Sequence, residues 1–141
     1  MSTDYRDAAR RHLDDAELLL NVKPSRIPNA DQLFGLSAEC ALKAVMVALG
    51  MATDSAGTPQ DRGHKVHMPD QWAAFQSFAS GRLASRYLEP LDAHNPFVDW
   101  DVEQRYWAGS AIPPLSAQNH HRAALQCIES LERLIADGVT Q

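Results

Sequence analysis

Two side chains of opposite charge, Glu39 and Lys43, stand four residues apart in a stretch otherwise free of charge from Gln32 to Gly50. At that spacing they share one face of a helix, with the carboxylate on the N-terminal side, the more favourable order. An ion pair in such apolar surroundings either fixes a unique packing register or belongs to a site. A second group is cationic. Arg62, His64, Lys65 and His67 lie close together in the chain, and they suit either solvated loop charge or an anionic ligand whose affinity grows as pH falls through the histidine range. A third candidate is Arg105 followed by Tyr106. Its guanidinium can grip a phosphate through two parallel hydrogen bonds, or it can pair with Asp99, Asp101 or Glu103 and pin its own loop. Glu39 and Lys43 can also line a polar cleft with His64 or Arg105.

Other chemistries find little support. His64-x-x-His67 and His120-His121 lack a carboxylate at helical spacing, and no Glu-x-x-His occurs, so no metal site and no cofactor is expected. Glycine-rich phosphate loops, dinucleotide fingerprints and Gly-x-Ser-x-Gly elbows are absent. His12 falls in an apolar stripe, where a packed or interface histidine is expected.

These residues need helices to position them. Apolar positions Leu33, Leu36, Cys40, Ala44 and Val47 form one helical stripe, and Phe34, Ala38, Ala41, Val45 and Ala48 form a second beside it. A helix over 29–50 with two apolar stripes must be the centre of an all-α core or be shared with a second copy of the chain. Asn29 and Gln32 have capping-box spacing at its start, and Gly50 suits a left-handed stop. The pattern predicts a first helix over 4–22, ended by Pro24 and Pro28. A third begins near Pro69 with Trp72, Phe75 and Phe78 inward, is interrupted at Gly81, and resumes with Leu83, Tyr87 and Leu91 on one side. The last opens at Ser116 and closes at Gly138. Residues 51–66 and 94–114 are long loops, with a short helix possible over 99–107. The expectation is one domain, 1–141, an up-and-down bundle of four main helices with a possible fifth. The surplus of apolar surface on the second helix predicts a homodimer.

Composition agrees with this class. The 141 residues carry a formal net charge of −5, which argues against a surface that is basic throughout and grips nucleic acid everywhere. Cys40 and Cys127 both fall on apolar helix faces and read as free thiols. The polar, charged start lacks a secretory leader, and the 33–50 run holds two charges, so a cytoplasmic protein with no membrane span is expected.

Four segments, in order, resemble the HEPN family (higher eukaryote and prokaryote nucleotide-binding domains). Residues 8–20 are similar to its first helix, and Ala-Glu-Cys-Ala-Leu-Lys-Ala at 38–44 resembles its second-helix signature. Gly63-His64-Lys65-Val66 resembles the histidine segment ahead of its third helix, and Arg105-Tyr106 its Arg-Tyr dipeptide before the last. The resemblance implies an HEPN-like helical bundle. Its members act as ribonuclease toxins, as partners of minimal nucleotidyltransferases in toxin–antitoxin pairs, or as modules binding nucleotide or RNA. RNA-cleaving members use Arg, four to six residues, then His: histidine as general acid or base, arginine stabilising charge on phosphate, without a metal. Arg62 and His67 have that spacing but precede the third helix, earlier than the family's motif; Arg6 and His12 have it in the first helix; Arg105 has no histidine within reach. The resemblance therefore favours a weakly or non-catalytic partner module with a nucleotidyltransferase companion, over a ribonuclease using Arg62 and His67. A plain assembly bundle is the remaining reading.

Overall fold

A computed structural model describes residues 1–139 as an all-α bundle of four main helices: α1 (Tyr5–Asn21), α2 (Ile27–Ala48), α3 (Asp70–Ser80) and α4 (Pro114–Ala136). Short 3₁₀ turns punctuate the connections, and no strand forms among the described residues beyond one isolated bridge, Thr53 to Pro59. No described helix is long and apolar enough to cross a membrane.

The second helix is central because its composition leaves it nowhere else to go. It packs most extensively on α1 and α4, and also against α3 and the 3₁₀ turn Val102–Tyr106. Alanines at 9, 16, 30, 38, 41, 123 and 124 are fully buried, and these small side chains let the helices approach closely. The Ser37 hydroxyl bridges two of them by donating to the Ala9 carbonyl at 2.7 Å. Phe34, Trp72, Phe75, Phe97 and Trp100 supply the bulk of the core, each burial worth about 1.5–3 kcal/mol. Within the chain Phe34, Ala38, Ala41 and Val45 of α2 are fully buried, whereas Leu33, Leu36, Cys40 and Val47 of its other stripe stay partly exposed, so part of the apolar surface from which a homodimer is expected remains open.

Several boundaries move. α2 starts at Ile27, two residues before Asn29, because Pro28 sits in the first turn, where a missing N–H costs nothing; no side-chain cap forms. Gly50 does take the left-handed conformation, at φ 103°. α4 starts at Pro114 for the same reason, so Ser116 lies inside the first turn and is not its cap. Past Gly81 the chain does not resume as a helix with Leu83 inward. Leu83 adopts φ 54° and is 94% exposed, and only a 3₁₀ turn, Ser85–Tyr87, follows with Tyr87 buried. The long loops are tied down by carboxylates. Asp54 accepts from the Ala56 and Thr58 amides, Asp61 from the Gly63 amide, and Asp101 caps the turn Val102–Tyr106.

Candidate functional site

Glu39 and Lys43 occupy successive turns of α2, each only 6% exposed. Lys43 Nζ donates to Glu39 Oε2 at 3.2 Å and sits 5.9 Å above the Tyr5 ring of α1. The other carboxylate oxygen, Oε1, lies 2.9 Å from His67 Nδ1. A carboxylate bonded to lysine can only accept there, so Nδ1 carries the proton. The connection between α2 and α3 thus brings His67 to the buried pair. Its side chain remains 54% exposed, and Nε2 is available at the surface.

The arrangement is that of an imidazole oriented by a carboxylate: one nitrogen is fixed by Glu39 and the other has no partner among the described residues. Lys43 offsets the charge of the buried carboxylate. The same row continues one turn on to Val47, which lines a cavity of about 420 Å³ together with residues 2–6, among them Asp4 and Arg6, and Thr53 and Gly57. Its rim is ordered, since the Thr3 amide donates to the Ala56 carbonyl at 2.8 Å. Burial, then the nearby Cys40 and Glu39, push the Tyr5 hydroxyl above its ordinary range. Burial raises the Cys40 thiol to about 12, with Glu39 adding to it, so it stays protonated and unreactive. Cys127 is likewise free and pushed up by burial.

The remaining candidates do not join this cluster. Arg62 lies exposed in the 3₁₀ turn Arg62–His64, with no hydrogen bond or ion pair to His67 among the described residues. His64 turns away, edge-on to Phe78 at 5.3 Å between ring centres. Arg105 Nη1 donates to the Val102 carbonyl at 2.6 Å, Nη2 approaches Glu103 to 4.0 Å, and the guanidinium lies over the Tyr106 ring. Of the carboxylates weighed for it, Glu103 is the one it meets. His12 is half-buried on α1, and burial, then Arg11, lowers its affinity for a proton.

Sequence reasoning missed a second cluster. His120 of α4, fully buried, places Nδ1 2.6 Å from Asp31 Oδ1 and Nε2 2.7 Å from Asp99 Oδ1. Asp31 Oδ2 accepts from Gln104 Nε2 at 2.6 Å, and the Asp31 carbonyl accepts from the Trp100 indole at 3.0 Å. The ring stacks on Phe97 at 5.1 Å. Burial alone would strip its charge, but the hydrogen bonds and charges of Asp31 and Asp99 outweigh burial and raise its affinity for a proton. The signal was available in Asp31 itself, a carboxylate just before the apolar stretch of α2. Its partners lie 68 and 89 residues away, beyond any local spacing rule. No group of three or more His, Cys, Asp or Glu side chains among the described residues is arranged to hold a metal ion.

Comparison with known proteins adds no identity: no family model matches the chain, and neither a curated protein nor a solved structure is significantly similar to it.

Proposed function

We propose that the chain is an HEPN-like module that binds a nucleotide or RNA phosphate on the face formed by α2 and the 51–69 connection, and that it works beside a companion protein of the nucleotidyltransferase kind. The observation that carries this reading is the clamp of His67 by the buried Glu39–Lys43 pair. An exposed histidine needs no buried ion pair for stability, so fixing one imidazole nitrogen and presenting the other serves a ligand. A cavity of about 420 Å³ one turn further along α2 has room for a small ligand; Arg6 supplies a cation on its wall, beside the carboxylate of Asp4, and His67 does not line it.

A metal-independent ribonuclease is the second reading, and the same clamp favours it. A base oriented by a carboxylate suits abstraction of a ribose hydroxyl proton, with Arg62, on the same connection, as the cation that meets the phosphate. Fluorescence anisotropy with a labelled single-stranded RNA and with ATP, repeated on His67→Ala, separates the cases. Binding that weakens at least about tenfold in the variant, with intact RNA in EDTA, supports the binding module. Cleavage in EDTA that His67→Ala abolishes supports the nuclease. Equal affinity of both proteins for both probes removes this face from consideration. A homodimer and the companion protein are further expectations of the resemblance; sedimentation and co-purification measure them directly.

A further inference from the structure

The fully buried imidazole of His120 has both ring nitrogens committed, one to α2 through Asp31 and one to the 97–107 segment through Asp99. Only the doubly protonated ring donates to both. We propose that residues 97–107 form a pH-gated strap: the His120 imidazolium clasps it to the helices, and loss of one proton frees its Asp99 end.

Burial decides which end lets go. The Asp31 side chain is 1% exposed and also holds Gln104, whereas the Asp99 side chain is 50% exposed. A neutral ring retains a single N–H. If Nδ1 lost it, a sealed carboxylate would face a lone pair without water, the costly case of a buried charge left without its partner. If Nε2 loses it, Asp99 turns to solvent at little cost, with the Ser116 hydroxyl beside it as the remaining side-chain contact. The neutral ring therefore keeps Asp31 and releases Asp99. Trp100, Gln104 and the Phe97 stack stay anchored, so the release is confined to about residues 98–101.

Among the described residues no other charged group pairs with the ring. From α2 it meets Asp31, and from the strap Asp99; Asp101 is spent on the Glu103 amide and Arg105 on the Val102 carbonyl. On α4 the neighbouring His121 pairs with Glu17 of α1 at 2.9 Å. α3 reaches the layer through the neutral Trp72–Phe97 contact. The signs follow from these partners. His120 gains proton affinity on folding, so its stabilisation is complete below its ordinary 6.5 and is lost as pH rises through the raised value. Burial opposes the Asp99 charge, but Ser116 and His120 outweigh it and lower its value, so its stabilisation is present above the ordinary 3.8 and is lost only as pH falls through the lowered one. The clasp is closed at mildly acidic pH and opens on the alkaline side. Within the released stretch Val98 is exposed on the outer side, so the clasp sets the pH range in which the surface around Val98 and Asp99 is held still.

The test is a nitrogen-15 NMR titration of the histidine side chains of the full chain, paired with amide hydrogen exchange corrected for its intrinsic pH dependence. His120 should titrate above 6.5, and the hydrogen-bonded amides of Trp100 and Asp101 should lose protection about tenfold or more across that midpoint, the loss of one charge-assisted hydrogen bond, while α2 amides hold theirs. Asp99→Asn, at a half-exposed side chain, should fold, move the midpoint down and abolish the protection step. A His120 midpoint at or below 6.5, unchanged protection across it, or an unaltered midpoint in Asp99→Asn would each overturn the strap.

Discussion

The two histidine clusters start from the same component and end in opposite uses. In each, a buried carboxylate of α2, Asp31 or Glu39, faces the Nδ1 of a histidine brought in by another part of the chain, at 2.6 and 2.9 Å. His120 is wholly sealed and its second nitrogen is also bound, whereas His67 is 54% exposed and its second nitrogen is free. The carboxylate–histidine bond alone therefore does not separate scaffold from site. What separates them is where the outer nitrogen points: to a second anion, which makes a joint, or to solvent, which makes a group able to act.

The largest effect should come from the joint. His120→Ala leaves Asp31 with one neutral donor, Gln104, and no cation, in a fully buried position. Removing one partner from a buried pair costs about 3–5 kcal/mol, and urea unfolding at pH 6 should show a loss of that size. A loss below about 1 kcal/mol would mean that the sealed cluster carries no more than a surface pair does, and the contrast would collapse.

Gly35→Ala reaches the same joint from beneath. A Cβ at Gly35 would lie 2.0 Å from the Trp100 ring, which itself is held by the Asp31 carbonyl. The indole must shift, so a cost near the upper end of the usual 1–3 kcal/mol for overpacking is expected, about 3 kcal/mol. Trp100 fluorescence should move toward that of a solvated indole in the folded variant. An unaltered spectrum together with unaltered stability would show that the notch over Gly35 does not hold the strap.

How much of this was readable beforehand follows from the range of each interaction. α2 as the central helix is legible because its apolar stripes repeat locally, although the stripe of Leu33, Leu36, Cys40 and Val47 stays partly exposed, and Glu39–Lys43 is legible because a four-residue spacing is local too. Capping side chains point to starts at Asn29 and Ser116, but proline at residues 28 and 114 enters the first turn directly and moves both starts earlier. Periodicity places Leu83 on one side with Tyr87 and Leu91, yet the chain turns through a left-handed residue there and leaves Leu83 exposed while Tyr87 is buried. The triad Asp31–Asp99–His120 was out of reach, since nothing in the spacing of three residues so far apart announces that a loop will fold back over the base of α2. His67 was picked out for its distance from Arg62. The structure supplies a different partner, Glu39, 28 residues earlier.

The smallest expected effect on stability comes from His67→Ala, and it sharpens the contrast most. The ring is 54% exposed, so its bond to Glu39 is screened by water and contributes at most about 1 kcal/mol. Glu39 keeps Lys43 at 3.2 Å after the ring is gone, so no charge is stranded, unlike Asp31 in His120→Ala. Thermal unfolding of the variant should therefore overlay the parent closely, while RNA or nucleotide binding falls at least about tenfold, the equivalent of one charge-assisted hydrogen bond. The reverse result, clear destabilisation with affinity intact, would make His67 a joint like His120. It would mean that an open outer nitrogen is not enough to mark a working group in this bundle.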